Sequence, residues 1–142
     1  MIEVIIEDPA WEAALPDAEA LAIRAADAAT PGSDLAILLT SDGAVGAMNA
    51  QFRGKDQPTN VLSFPASGLP TDHLGDIALA YGVCAREAQE QGKTLAAHVQ
   101  HLVVHGALHL VGYDHEDDDE AEVMEARERE ILAGLGLADP YA

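Results

Sequence analysis

Three histidines in one short segment have the spacing of a metal site. His105 and His109 are four residues apart, and His115 follows six residues later, after Gly112. On a helix, residues four apart lie about 40° apart around the axis and one turn up, so both imidazoles can reach one ion. Glycine is a typical helix end, beyond which the chain can return His115 to the same place. The pattern predicts a metal centre made of these three side chains.

The ligand chemistry indicates a catalytic metal rather than a structural one. Imidazoles without thiolates favour zinc, with nickel, copper and iron as alternatives. Three neutral imidazoles leave the fourth position of a tetrahedral zinc open, as in catalytic sites. The sequence therefore predicts one Zn²⁺ per chain, held by His105, His109 and His115.

The helix that carries these histidines is predicted to be buried. It is expected to run from the capping residue Thr94 to about residue 111, and it is apolar almost all round. Two more histidines, His98 and His101, extend the polar stripe backward. We interpret His101 as a packing residue or a partner of the ligands, and His98 as a near-surface residue.

The same spacing occurs in metzincin proteases, H-E-x-x-H-x-x-G-x-x-H. In those enzymes the Glu after the first His does the proton chemistry, and Gly106 occupies that position here. Without the carboxylate, a zinc-bound water has no obvious general base. Met124 lies in an acidic helix, so we interpret it as a core residue instead of the methionine turn of that class. A metalloprotease is therefore the less favoured alternative.

The complete string HGALHLVGYDH at 105–115 resembles the YbeY family of rRNA-maturation endoribonucleases. Residues 52–56, 58–65 and 75–77 are similar to the other sequence blocks of that family, in the same order. The resemblance covers roughly residues 34–136, and the histidine block and the Thr-x-Val-Leu-Ser-Phe-Pro block are together highly specific. Asn60 stands where many members have Asp.

The resemblance implies a mixed αβ fold, zinc on three histidines and cleavage of single-stranded RNA. It further implies a role in maturing the 3′ end of small-subunit (16S-type) rRNA and in ribosome quality control. The expected partners are rRNA, the small ribosomal subunit and ribosomal proteins. A non-catalytic, zinc-containing ribosome-assembly factor is an alternative from a different functional class.

Phosphodiester cleavage needs a group that neutralises charge on the phosphoryl oxygens. Arg53 is the candidate phosphate clamp, because a guanidinium binds phosphate through two parallel hydrogen bonds and is always charged. Lys55 is a second candidate contact to substrate, with an ordinary solvated role as the alternative. Arg53 and His105 are the candidate catalytic residues.

Other polar residues in these blocks have ordinary structural interpretations. Ser63 is expected to be structural, because no base for it is identified. Asp76 and Asp114 either orient the metal ligands or cap turns.

The composition includes one feature that does not suit RNA binding. The chain has 142 residues and a formal net charge of −18, from 25 acidic and 7 basic residues. Phosphate binding is normally led by Lys and Arg. However, ten of the acids lie between positions 114 and 130, whereas four of the basic residues lie between positions 53 and 93. The uneven distribution of charge therefore leaves room for a local basic patch.

The remaining composition predicts a cytoplasmic protein without a membrane segment. Cys84 is the only cysteine, which excludes a disulfide framework and suits a reducing compartment. The first residues lack the basic start and apolar run of a signal peptide, and no apolar stretch reaches the roughly 18 residues of a membrane span.

The hydrophobic pattern predicts one domain over 1–142 with an α+β fold. We expect a small mixed sheet of about four strands, about five helices and a metal site at the end of a buried central helix. The predicted strands are 2–6, 35–39, 60–64 and 76–81. The predicted helices are 11–29 (with a restart at Pro16), 42–52, 83–91, 94–111 and 118–135. The last of these helices is expected to turn Val123, Met124, Ile131 and Leu132 inward.

Overall fold

The computed structural model describes residues 1–53, 59–66 and 73–141, with only the backbone of Phe52 and Arg53. The strands in this part of the chain are β1 (Ile2–Ile6), β2 (Asp34–Thr40), β3 (Val61–Pro65) and β4 (His73–Ala80). The helices are α1 (Ala10–Ala14), α2 (Ala18–Ala29), α3 (Asp42–Arg53), α4 (Tyr81–Glu90), α5 (Leu95–Leu110) and α6 (Asp118–Gly134).

The four strands form one mixed sheet in the order β1-β2-β4-β3. The first three are parallel, with Val4 beside Ile37 and Ile37 beside Ile77. Strand β3 runs antiparallel to β4, with Ser63 opposite Ile77. It lies at the sheet edge, as expected for a strand bounded by prolines. The predicted α+β class with a four-stranded mixed sheet is confirmed.

Alternation along the strands divides the apolar side chains between the two faces of the sheet. Ile77 and Leu79 of β4 face the main core, with α2 and α5, while Ala78 and Ala80 face a smaller cluster around Val45 of α3. Helix α5 is therefore packed against the sheet and is buried along most of its length. This burial confirms the central helix that the sequence predicts.

The predicted helix over 11–29 is divided into α1 and α2, which accounts for six helices in the described chain instead of about five. The break falls at Leu15, whose φ of −144° and ψ of 81° are not helical. The residue before a proline is sterically driven out of the α region, and Pro16 follows here. Proline therefore ends one helix before the next begins.

The inward face of α6 differs from the prediction. Met124, Ile131 and Leu132 are buried as expected, but Val123 is 61% exposed, so its predicted inward position is wrong. The buried positions are 124, 128, 131 and 132, which follow helical spacing and leave Val123 to one side. The position that completes this buried stripe is Glu128.

None of the helices in the described part of the chain has the length and apolar character that a membrane crossing requires.

Candidate metal centre and cleft

Helix α5 holds the histidine stripe in a fixed position because both of its ends are capped. At the start, the Thr94 hydroxyl accepts a hydrogen bond from the backbone N–H of Ala97 at 3.1 Å. At the end, the N–H groups of Gly112 and Tyr113 donate to the carbonyls of His109 (3.1 Å) and Leu108 (3.0 Å). This is a Schellman motif, and its glycine has φ of +103°, a backbone conformation that residues with a Cβ rarely adopt.

The turn at Gly112 brings His115 back beside the end of α5. Ring nitrogens of His105, His109 and His115 all lie within 4.8 Å of one another. The His115 ring is 5.0 Å from the His109 ring and 5.5 Å from the His105 ring, between centroids. The structure thus assembles the three side chains that the sequence predicts as ligands.

Hydrogen bonds determine which nitrogen of each helical histidine faces the cleft. His105 Nδ1 lies 2.8 Å from Glu128 Oε1, and His109 Nδ1 lies 2.9 Å from the Tyr113 carbonyl oxygen. A carbonyl oxygen and an ionised carboxylate only accept, so both Nδ1 atoms donate. In neutral imidazoles, both Nε2 atoms then carry lone pairs.

The two Nε2 atoms face each other at 3.1 Å. Two acceptor lone pairs at this distance repel unless a cation or a proton lies between them. Burial is the main cause that lowers the pKa of His109, and the nearby His105 and His115 lower it further. The lowered pKa favours the neutral form, which is the form that binds a metal. Two zinc–nitrogen bonds at a tetrahedral angle would place the nitrogens about 3.3 Å apart, so the residues present fit the metal.

Glu128 of α6 is a member of this site that the sequence analysis missed. Its side chain is fully buried and accepts hydrogen bonds from His105, from His101 Nε2 at 3.2 Å and from the Tyr141 hydroxyl at 2.7 Å. Burial alone would raise the pKa of Glu128, but these three hydrogen bonds outweigh it and lower the pKa to about 2. The sequence signal that could have identified Glu128 is the presence of an acidic residue at a position of the apolar stripe of α6.

The two earlier histidines of the stripe have internal partners. His101 bonds Glu128, in agreement with the predicted role as a packing residue or partner of the ligands. His98 is only 3% exposed, so its predicted near-surface position is wrong. Helix α4 packs across this end of α5, and Glu87 lies 3.0 Å from His98 Nε2.

The three histidines line a cleft of about 750 Å³, which lies between the end of α5, edge strand β3 and α3. Its wall from the strand side consists of Thr59, Asn60, Val61, Leu62, Ser63 and Pro65. Asn49 of α3 also lines the cleft, as do Asp114 and Glu116 on either side of His115 in the chain.

Three polar residues for which the sequence allows a structural role have identifiable contacts. Ser63 donates to the Gly106 carbonyl oxygen at 3.1 Å, which ties β3 to α5 and agrees with a structural role. Asp114 accepts from the backbone N–H of His115 at 2.8 Å and so supports the turn. Asp76 pairs with His73 at 3.1 Å.

The candidate phosphate contacts fall largely outside the described residues. The backbone of Arg53 ends α3, one helical turn after Asn49, but its side chain and all of Lys55 lie outside the description. The helix that bears Arg53 thus borders the cleft, because Asn49 is part of the cleft wall.

Gly106 lies where α5 packs tightly against the sheet. A Cβ at this position would come within 3.0 Å of Ile77 Cγ2 and 3.1 Å of Ser63 Oγ. A side chain at this position would require Ile77 and Ser63 to shift, which disfavours the glutamate of the metzincin pattern here.

Comparison with known proteins identifies a family with the same sequence features. Residues 7–136 match the family model described as Endoribonuclease YbeY. An Endoribonuclease YbeY from Azorhizobium caulinodans is 52% identical over 99% of this chain and 96% of the relative. Another from Maricaulis maris is 53% identical over 99% of this chain and 91% of the relative.

A solved structure has a similar fold. The solution structure of TM1509 from Thermotoga maritima superposes with a TM-score of 0.59 at 25% identity. The match covers 96% of this chain and 92% of that one.

Proposed function

The chain belongs to the endoribonuclease YbeY family, and we propose that it is a zinc-dependent enzyme that cleaves single-stranded RNA. The family supports an endoribonuclease role and RNA as the substrate. The proposal adds zinc on His105, His109 and His115, and action on the 3′ end of small-subunit rRNA and in ribosome quality control. It treats residues 1–142 as a single cytoplasmic nuclease domain that works with the small ribosomal subunit and its proteins.

The observation that supports zinc dependence most strongly is the facing pair of Nε2 atoms on His105 and His109. Their 3.1 Å separation, with both Nδ1 atoms engaged elsewhere, leaves two lone pairs aimed at one point beside His115. Zinc bound there would supply a Lewis acid next to the scissile phosphate. The protein itself orients the three imidazoles and presents them at the wall of an open cleft.

The shape of the cleft favours an unpaired strand. Its wall is formed by an edge strand and by the end of a helix, and such a cleft admits a single strand, whose bases can be splayed out, more readily than a paired helix. To place one strand in the cleft, a duplex would have to lose both base pairs and base stacking, and both losses cost free energy. We therefore propose that paired RNA is a poor substrate.

Charge at the cleft supports a role for Arg53 as the phosphate clamp. Asp114 and Glu116 line the cleft on either side of His115 in the chain, and their carboxylates repel a phosphodiester. Zinc on the histidines would offset part of this repulsion, and a second cation would offset more of it. Arg53 follows Asn49 by one turn on the helix that borders the cleft. The net charge of −18 further suggests that a ribosomal partner helps to deliver the RNA.

The proposed activity is tested by measuring zinc content and RNA cleavage on the same purified sample. We expect cleavage of a labelled single strand, little cleavage of the same strand in a duplex, loss of activity with a chelator and recovery with zinc. Activity that withstands complete zinc removal would contradict zinc dependence. Zinc without cleavage, including on precursor rRNA in small subunits, would favour the non-catalytic assembly factor, and chelator-sensitive casein hydrolysis would favour the protease.

Arg53 is tested by substitution. If it acts on the substrate instead of the fold, Arg53→Ala should keep zinc and alter stability by no more than about 0.5 kcal/mol, while RNA cleavage is lost. Arg53→Lys should recover only part of the activity, because lysine supplies charge without the planar fork.

A matched control for this test is Arg86→Ala. It removes the same charge from an exposed residue of α4 that pairs with Asp42 at 3.6 Å. We expect near wild-type cleavage. Cleavage equal to wild type in Arg53→Ala would exclude Arg53 from the site, and a large fall in its melting temperature would indicate a structural role.

A further inference from the structure

Glu128 is a buried carboxylate whose two oxygens have different partners. Oε1 accepts from His105 Nδ1 at 2.8 Å and from His101 Nε2 at 3.2 Å. Oε2 accepts from the Tyr141 hydroxyl at 2.7 Å. A buried charge is costly unless it is paired or hydrogen-bonded, so the three donors are what makes this position tolerable for a carboxylate.

The contact with His105 fixes the orientation of that ring. Because Oε1 can only accept, Nδ1 must carry the hydrogen, and Nε2 is left unprotonated toward His109 and His115. An anionic acceptor also makes an imidazole more basic at its other nitrogen, and therefore a stronger metal ligand. His109 has a neutral backbone carbonyl in the same position, so the two ligands are supported unequally.

Tyr141 is itself held in place from several directions. Asp139 accepts from the Tyr141 backbone N–H at 2.8 Å and from the Arg129 guanidinium at 3.0 Å. The same guanidinium lies 5.2 Å from the centre of the Tyr141 ring, within the range of a cation–π contact. These contacts hold the Asp139–Tyr141 segment against α6, where the Tyr141 hydroxyl donates to Glu128.

We propose that Glu128 is a positioning residue for the metal ligand His105, and that Tyr141 holds Glu128 in the orientation that this requires. The inference rests on the proposed function, since it takes the three histidines to bind zinc. Glu128 sets the tautomer and basicity of His105, and Tyr141 keeps Oε2 occupied so that Oε1 stays directed at the histidines. Neither residue ligates the metal or contacts the RNA in this assignment.

The test is the affinity and geometry of the metal site in the full chain. Zinc dissociation constants are measured by competition with a chromophoric chelator, and the visible absorption of the Co²⁺-substituted protein reports ligand geometry. Glu128→Gln replaces the anionic acceptor of His105 by a neutral amide, and it should weaken zinc binding by up to about 10–100-fold, the usual range for changing a ligand's hydrogen-bond partner, and alter the Co²⁺ spectrum. Tyr141→Phe, which removes only the hydroxyl, should shift both quantities in the same direction by less.

The matched control is Glu130→Gln. It removes the same charge from the same helix, at an exposed residue that pairs with Arg127 instead of a histidine. Its zinc affinity should stay within about twofold of wild type, because an exposed ion pair contributes little. Equal affinity and identical Co²⁺ spectra in Glu128→Gln and Glu130→Gln would overturn the inference.

Two further outcomes are distinguishable. If Glu128→Gln does not fold, Tyr141→Phe decides the question, because a partly exposed residue can lose a hydroxyl without losing the fold. Wild-type zinc affinity and spectrum in folded Tyr141→Phe would then overturn the inference. If the wild-type protein itself binds no zinc, the zinc dependence in the proposed function fails, and this inference with it.

Discussion

Helix α5 carries two pairs of histidines that use opposite ring nitrogens. In the internal pair, His98 and His101, Nε2 bonds a carboxylate of a neighbouring helix. In the cleft pair, His105 and His109, Nδ1 makes the internal hydrogen bond and Nε2 faces the cleft. The same residue type, on adjacent turns of one helix, therefore makes internal contacts through Nε2 in one pair and directs Nε2 to the cleft in the other.

The difference between the pairs comes from what surrounds each turn of the helix. The internal pair is covered by α4 and α6, which supply Glu87 and Glu128 to the outer nitrogen. The cleft pair lies at the open end of α5, where the chain turns at Gly112. Whether a histidine of α5 can bind a metal in the cleft therefore depends on which of its ring nitrogens is hydrogen-bonded by neighbouring residues.

Removal of a cleft histidine should have the largest effect. His109→Ala leaves two ligands and should reduce bound zinc from about one per chain to near zero, with loss of RNA cleavage. His98→Ala, on the same helix, should retain wild-type zinc. Elemental analysis of both purified variants checks the contrast, and full zinc occupancy in His109→Ala would remove the distinction between the pairs.

Removal of an internal histidine should act on stability instead. His98→Ala deprives Glu87 of a partner inside the α4–α5 interface and should lower the free energy of unfolding by about 1–3 kcal/mol. Urea unfolding in the presence of chelator measures this without a contribution from metal. A loss of zinc with unchanged stability would show that His98 belongs with the ligands.

His98 should also contribute a smaller dependence of stability on pH. Burial lowers the pKa of His98 from its ordinary 6.5, against the raising effect of its hydrogen bond with Glu87. The unfolded chain then binds a proton more readily than the folded one. The contribution of His98 is complete above pH 6.5 and is lost as the pH falls through the folded pKa.

Comparison of wild type with His98→Gln isolates the contribution of His98 to the pH dependence of stability, since glutamine can still donate to Glu87 but does not titrate. The free energy of unfolding should fall less steeply below pH 6.5 in the variant than in wild type. A steeper fall in the variant would contradict the assigned direction of the pKa shift. The other titrating groups are common to both proteins and cancel in the difference.

Local sequence features were sufficient to predict the central helix and its ends. Thr94 and Gly112 act through the backbone within a few residues, and both occur in the structure as the start and end signals of α5. The spacing of His105 and His109 is likewise a local property of helical geometry. At Pro16 the sequence predicts only a restart within one helix, whereas the structure has two separate helices there.

The helix, its histidine stripe and the turn that returns His115 are predictable because each depends on residues close together in the chain. Only the packing of distant segments buries His98, turns Val123 outward and brings Glu128 within hydrogen-bond distance of His105. Glu128 is 23 residues from His105, and its place in an acidic helix resembles that of its solvated neighbours. Which acid becomes buried depends on how α6 packs against α5, and that contact is set by the whole core rather than by the spacing of any one motif.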